Sequence, residues 1–263
     1  MNKIIFLFSI LALTVSCGGS NDSNNETVTT PEQISKQEKQ ETEIEKRIAD
    51  TDLQDKLDVM NSLYFTKEDG SSLEVKDFLD KSGNILKVEE KYVDKEKDSY
   101  GTNLFYIRNG KKYASKERFE EKDGKNAFFV ERVTFYDDKE QVATTKIRKA
   151  DFEENLDAVP LEITKSVDCS IKRAMDALNQ EGDFETRFQG FVNSNNTNYI
   201  VVGPSGSDQY NSALMLQYNS TTTNNLMRNQ EASIGKKLDL EFQKMVDDNG
   251  FEFQVLLTLK VVK

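Results

Sequence analysis

Two thiols, Cys17 and Cys169, stand in a chain of 263 residues that contains no histidine and no tryptophan. A thiol becomes a nucleophile or redox centre when its pKa is depressed, by a helix N-terminus or by a neighbouring His or cation. Cys169 follows Asp168 at the start of an apolar-periodic segment (Ile171, Ala174, Met175, Leu178), with Asp168 as the expected N-cap and Gly182 beyond the end, so the first of these devices is at hand. With no His as a base and no second free thiol to resolve a disulfide, the expected role of Cys169 is that of a small half-buried residue. The absence of His also removes the Ser-His-Asp and Cys-His catalytic sets and the His-ligated zinc and iron sites.

Any catalysis would have to run on carboxylates, Lys or Tyr alone. Asp94-Lys95-Glu96-Lys97-Asp98 places acids at alternate positions as a calcium loop does. However, Ser99 replaces the turn glycine and Phe105 stands where the bidentate Glu belongs, so an exposed loop of mixed charge is expected. A carboxylate pair for glycoside chemistry stays open, because the separation of two acids is invisible in a sequence. There is no phosphate-binding glycine loop, dinucleotide fingerprint or nucleophile elbow, and Gly203-Pro204-Ser205-Gly206 reads as a turn. No metal and no cofactor are expected.

The candidate binding surface is aromatic: Tyr199, Tyr210 and Tyr218, which could stack planar or ring-shaped ligands, against the simpler reading of core and rim tyrosines. Nucleic acid is not the expected ligand. The chain carries a net charge of −11, and residues 185–263 have eight acidic and seven basic side chains, whereas a polyanion binder needs a basic surface.

Cys17 belongs to a different chemistry. Lys3, the apolar run Ile4 to Val15 and small residues leading to the Cys have the form of an export signal, too short to be a retained membrane span. Leu13-Thr14-Val15-Ser16-Cys17 resembles a bacterial lipobox, with Thr14 where that motif usually has Leu. The resemblance implies cleavage before Cys17, a diacylglycerol thioether on its sulfur and an acylated amino group. Gly18 in place of Asp after the Cys implies the outer membrane, on its periplasmic face or at the cell surface, and Cys-Gly-Gly-Ser followed by Asn and acidic residues resembles lipoproteins of the Bacteroidetes group.

The elements that must position any site divide the chain into five parts. Residues 1–17 are the signal and 18–31 a polar, disordered tether. Residues 32–63 form a charged helical stalk with Ile34, Ile44, Ile48, Leu53, Leu57, Met60 and Leu63 at roughly helical spacing, a loose helix to about Asp50 and a firmer one from Asp52 to Ser62, introduced by a Thr51–Gln54 capping box. The last turns of the stalk are expected to dock on the domain.

Residues 64–158 read as an up-and-down antiparallel meander of about six strands. Its turns are at Gly70, Gly83, 94–100, Asn109-Gly110, Asp123-Gly124 and Asp137-Asp138, and Glu89, Lys91, Lys116 and Arg118 are expected to face water. Tyr106 to Lys111 resembles a MORN-like hairpin, over too short a stretch to carry function. In residues 159–263 the amphipathic helix is followed by strands at 186–192, 199–203 and 212–218, a short helical connection at 222–232, and a hairpin of 237–246 with 251–262. This is the order of an OB-like five-stranded barrel with short helices. At Phe188 to Val192, Tyr199 to Val202, Leu226, Ile234 to Leu238 and Val255 to Val262 it resembles the tRNA-anti-like OB family of exported bacterial proteins.

The fold class expected is therefore mainly β: an N-terminal helical stalk, a meander sheet and an OB-like unit. The expected function is that of a lipid-anchored, non-catalytic binding or accessory module of the cell envelope, with the membrane and a protein or glycan as partners. The alternative is a carrier holding a hydrophobic ligand in a half-barrel groove, and the third reading is a carboxylate-based hydrolase.

Overall fold

The computed structural model describes residues 31–123, 126–194, 196–206 and 208–262; the expected signal, Cys17 and all but the last residue of the tether lie outside them. Helix α1 runs from Pro31 to Asp52. Proline is favoured at a first helical position, and the Glu, Gln and Lys that follow are good helix formers. Residues up to Lys39 cluster apart, and from Gln40 onward the chain is one compact unit. In that unit Ile44 and Ile48, one turn apart, are buried against Tyr106, Ala114, Val133 and Phe135, a contact that contributes about 1.5–3 kcal/mol per isoleucine. Around this stripe Lys146 pairs with Glu41 at 3.0 Å and Glu45 at 3.1 Å, and Asp52 accepts from Lys87 and from the Tyr106 hydroxyl, both at 2.9 Å.

The expected second helix over 52–62 is not formed. Strand β1 (Asp58–Asn61) runs there instead, antiparallel to β3 (Ser72–Leu79). Thr51, the expected cap, donates its hydroxyl back to the Arg47 carbonyl at 2.9 Å and closes α1. Met60 is exposed while Leu63 is fully buried, so the three-residue apolar spacing that suggested a helix is cut by the end of a strand. A free sheet edge overrode a weak local propensity.

The meander continues through β2 (Phe65–Thr66), β3, β4 (Ile85–Asp94), β5 (Ser99–Arg108), β6 (Lys111–Asp123), β7 (Asn126–Tyr136), β8 (Val142–Ala150) and β9 (Glu162–Thr164). The nine strands form one antiparallel sheet in the order β1-β3-β4-β5-β6-β7-β8-β9, with β2 on β3. The hairpins turn where the glycines and aspartates announce them. Asn109 and Gly110 both have positive φ (52° and 73°), as the tightest hairpin turn requires. Asp80 and Asp137 each accept two backbone N–H groups with one carboxylate oxygen.

The second sheet holds β10 (Phe188–Ser194), β11 (Thr197–Val202), β12 (Ser212–Met215), β13 (Leu238–Val246) and β14 (Glu252–Val261) in the order β10-β11-β12-β14-β13, with β12 and β14 parallel and every other pair antiparallel. Backbone bonds from Phe188 N to the Lys236 carbonyl (2.9 Å) and from Leu238 N to the Thr186 carbonyl (2.7 Å) join the starts of β10 and β13. Helix α3 (Thr221–Arg228), capped by Ser220, connects β12 to β13. Helix α2 (Lys172–Asn179) begins later than expected: Ile171 holds the N-cap position without a side-chain cap, and Asp168 points elsewhere.

The expected division at 158/159 falls before the last strand of the large sheet, since β9 still pairs with β8, and the apolar core runs across it. Leu63, Phe65, Leu73, Val75, Val88 and Phe105 share one buried cluster with Ala174, Ala177, Phe184, Phe188, Ile200, Leu214 and Leu238. Within this layer Glu90, 1% exposed, receives Arg173 of α2 through Nε at 3.1 Å and Nη2 at 2.5 Å and Asn103 at 2.8 Å, which satisfies a charge placed among apolar neighbours.

Asp77 on β3 is less well provided. It is buried, its Oδ1 has no partner among the described residues, and burial raises its pKa above the usual carboxylate value against weaker backbone hydrogen bonds. A raised folded-state pKa means that the ionised form costs stability once the pH exceeds it, and that the cost vanishes as the proton returns below the unfolded value. Asp77→Asn is therefore expected to stabilise the protein by about 1 kcal/mol at pH 7, and the gain should close as the pH falls through the carboxylate range. Urea unfolding at pH 7 and at acid pH measures both, and a gain that persists unchanged in acid would contradict the assignment.

Candidate functional site

The strand register of the large sheet sorts its side chains into two faces. One face packs against α2 and the second sheet. The other, which carries α1 at one end, consists of four rows across β3 to β8. The row under α1 is Phe78, Lys87, Tyr106, Ala114, Phe135 and Thr144. Next come Lys76, Glu89, Leu104, Lys116, Val133 and Lys146, and then Glu74, Lys91, Thr102, Arg118, Glu131 and Arg148. The last row is Ser72, Val93 and Tyr100, with Glu120 paired to Phe129 and Phe129 to Ala150.

The third row carries the electrostatics. Glu131 is 1% exposed and is held by Arg118 Nε at 2.5 Å and by Arg148 through Nη2 at 2.6 Å and Nε at 2.9 Å, with Lys116 Nζ at 3.9 Å. Both arginines also bind Asp157, which lies in the short 3-10 turn Glu153–Ala158. Leu156 of that turn is buried. Burial works against the charge of Arg118, but the hydrogen bond and charge of Glu131 outweigh it and keep the guanidinium protonated. Lys116 and Arg118 were expected in water; they are instead part-buried ion-pair partners, Lys116 24% and Arg118 33% exposed.

Between the third and fourth rows and the 3-10 turn lies a groove of about 530 Å³. Its walls include Tyr64 and Tyr100, 46% and 45% exposed, together with Phe129, Leu156, Thr102, Glu89, Lys91, Arg118, Glu120 and Glu153. Its size falls within the range of small-molecule sites. Gly101 belongs to the groove for a steric reason: a Cβ there would sit 2.5 Å from the Arg118 carbonyl oxygen and 2.9 Å from the Tyr92 hydroxyl, so only glycine lets the Tyr92 ring lie beside the strand.

The three tyrosines singled out from the sequence are dispersed. Tyr210 packs on Phe184 at 5.0 Å between ring centroids, with the Lys67 ammonium 4.9 Å over its ring. Tyr199 lies on β11, paired with Val192 and Met215. Tyr218, exposed, donates its hydroxyl to the Leu257 carbonyl at 2.8 Å. No ring contact joins any two of them among the described residues. The 94–98 loop is an ion-paired turn, Lys97 on Asp94 and Lys122 on Asp98, and no cluster of three or more potential metal ligands occurs among the described residues.

The groove residues Tyr64, Tyr100, Phe129, Glu120 and Glu153 escaped sequence reasoning. The usable signal was strand parity, which puts Tyr100 with Thr102 and Phe129 with Glu131.

Comparison with known proteins adds no family: no family model, no curated protein and no solved structure matches the chain.

Cys169 lies before α2 and is buried, not poised at a helix N-terminus. Its amide donates to the Tyr136 hydroxyl at 3.1 Å, and its carbonyl accepts from the buried Lys112 ammonium, which also holds Asp168 at 3.0 Å. Burial, followed by the negative charge of Glu117 and Glu90, pushes the thiol pKa up, opposite to the activated state. In native protein at pH 8, Cys169 is expected to resist a thiol reagent such as dithionitrobenzoate and to react fully in denaturant. Stoichiometric labelling of the folded chain within minutes would contradict this placement.

Proposed function

We propose that this protein is a lipid-anchored, non-catalytic binding module of the cell envelope, and that the groove on the α1 face of the large sheet is its binding site. The observation that carries the reading is the pair of half-exposed tyrosines, Tyr64 and Tyr100, on a groove floored by paired strands and an internally neutralised charge lane. A preorganised floor with rings held ready is what a binding site needs, because little ordering remains to be done on association. The anchor rests on the lipobox resemblance at Cys17 and on the polar run that follows it; among the described residues no helix is long and apolar enough to cross a membrane. In this reading the membrane is the partner of Cys17, at the outer membrane, and the groove takes a protein or glycan.

We read residues 186–262 as an OB-like unit, supported by the strand order, the parallel β12–β14 pair and the bonds joining β10 to β13. Its apolar side faces the large sheet, so its role in this account is to buttress the groove. The charged lining formed by Glu74, Glu89, Lys91 and Arg118 interrupts the continuous apolar wall that a lipid carrier requires.

The test has two arms. In cells, Cys17→Ser is expected to lose labelling by a fatty-acid analogue and to leave the membrane fraction; retained label would contradict the anchor. In vitro, the purified Cys17→Ser chain is expected to retain from solubilised envelope a species that Tyr100→Ala, placed in the same background, does not. Retention of lipid alone would favour the carrier, and turnover of the retained species a hydrolase.

A further inference from the structure

The charges of the groove, taken one by one, show which sign is left over. Lys91 is paired with Glu89 at 3.2 Å, Arg118 with Glu131 and Asp157, and Glu74 with Lys244. Glu120 and Glu153 have neither a hydrogen bond nor an ion pair among the described residues. Lys122, two residues along the strand, already has its ammonium bound to Asp98. The uncompensated charge is therefore two carboxylates, in a chain whose net charge is already −11. An anionic ligand would meet repulsion and find no free cation to receive it.

The two acids stand among rings. Glu120 is the direct cross-strand partner of Phe129, and Tyr100 and Tyr64 line the same groove. An ammonium group between a carboxylate and an aromatic face gains from both, since the ring quadrupole attracts cations most strongly when they are partly desolvated. Beneath them Thr102, Glu89 and Lys91 offer further donors and acceptors. The backbone offers none: β4, β5 and β6 are hydrogen-bonded on both sides, so an extended peptide cannot add itself as a strand. The fitting ligand is a compact body with its own hydroxyls, apolar C–H faces and a positive charge.

Building on the binding reading above, we propose that the groove recognises a saccharide carrying a free, protonated amino group: an amino sugar that is not N-acylated. Its ring faces stack on Tyr100 and Tyr64, its hydroxyls bond to Thr102 and the Glu89–Lys91 pair, and its ammonium is held by Glu120 and Glu153.

The test is calorimetric titration of the soluble Cys17→Ser full chain with three probes: the β-1,4-linked glucosamine trimer, the N-acetylglucosamine trimer and cadaverine. The free-amine trimer is expected to bind about tenfold or more tightly than its acetylated counterpart, and its affinity should fall as salt rises. Glu120→Gln should lower that affinity about tenfold while leaving the unfolding midpoint unchanged, and Tyr100→Ala should reduce binding of both trimers. Equal affinity for the two trimers, or no effect of Glu120→Gln, would overturn the ammonium assignment while leaving the groove as a saccharide site. Cadaverine binding as tightly as the amino trimer would overturn the saccharide assignment. No binding of any probe would overturn this inference, and the binding reading itself falls only if Tyr100→Ala also leaves envelope retention unchanged.

Discussion

Glu131, on β7 of the nine-stranded sheet, lies almost without access to water among Arg118, Arg148 and Lys116. Removing a carboxylate from water costs several kcal/mol, and only close, hydrogen-bonded cations offset that cost. The sheet meets the requirement with two arginines on neighbouring strands, and the same arginines reach out to Asp157 and fasten the 3-10 turn over the face. The charge lane is thus both a desolvation problem and the clasp that closes the groove. The buried Leu156 gives the same turn an apolar hold on the strands.

The groove follows from how the rest of the sheet is covered. One face is taken by α2 and the second sheet, tied through Glu90 and Arg173, and one end of the other face is taken by Ile44 and Ile48 of α1. What remains open is the opposite end of that second face, where the Tyr100, Glu120 and Phe129 row meets the 3-10 turn. In the groove Tyr100, Glu120 and Phe129 are fixed by strand register, whereas Glu153 sits on the 3-10 turn and Tyr64 between β1 and β2.

Much of this was legible in the sequence. The turns at Gly83, Asn109-Gly110 and Asp137-Asp138, and the three strands, helix and hairpin after residue 185, stand where glycine, aspartate and apolar alternation place them. Register was not legible. The Asn109-Gly110 turn pairs Arg108 with Lys111, but a bulge then shifts the ladder so that Tyr106 meets Ala114. Similar bulges follow Phe78 and Phe135. Each one-residue shift moves a strand's side chains to the other face relative to its neighbour, so the grouping of Arg118, Glu131 and Arg148, and with it the groove, could not be read from alternation alone. The strand at 58–61 and the late start of α2 were hidden for a related reason: pairing with β3 in one case, and capture of Asp168 by Lys112 and Tyr136 in the other, are tertiary events.

The most direct test of the claim that the Glu131 lane organises this face is denaturant unfolding of the soluble Cys17→Ser chain with and without Glu131→Gln. The substitution keeps shape but leaves Arg118 and Arg148 with Asp157 alone and Lys116 without its partner, so a loss of about 1.5–3 kcal/mol is expected. A loss below about 1 kcal/mol, the level of an exposed ion pair, would contradict it.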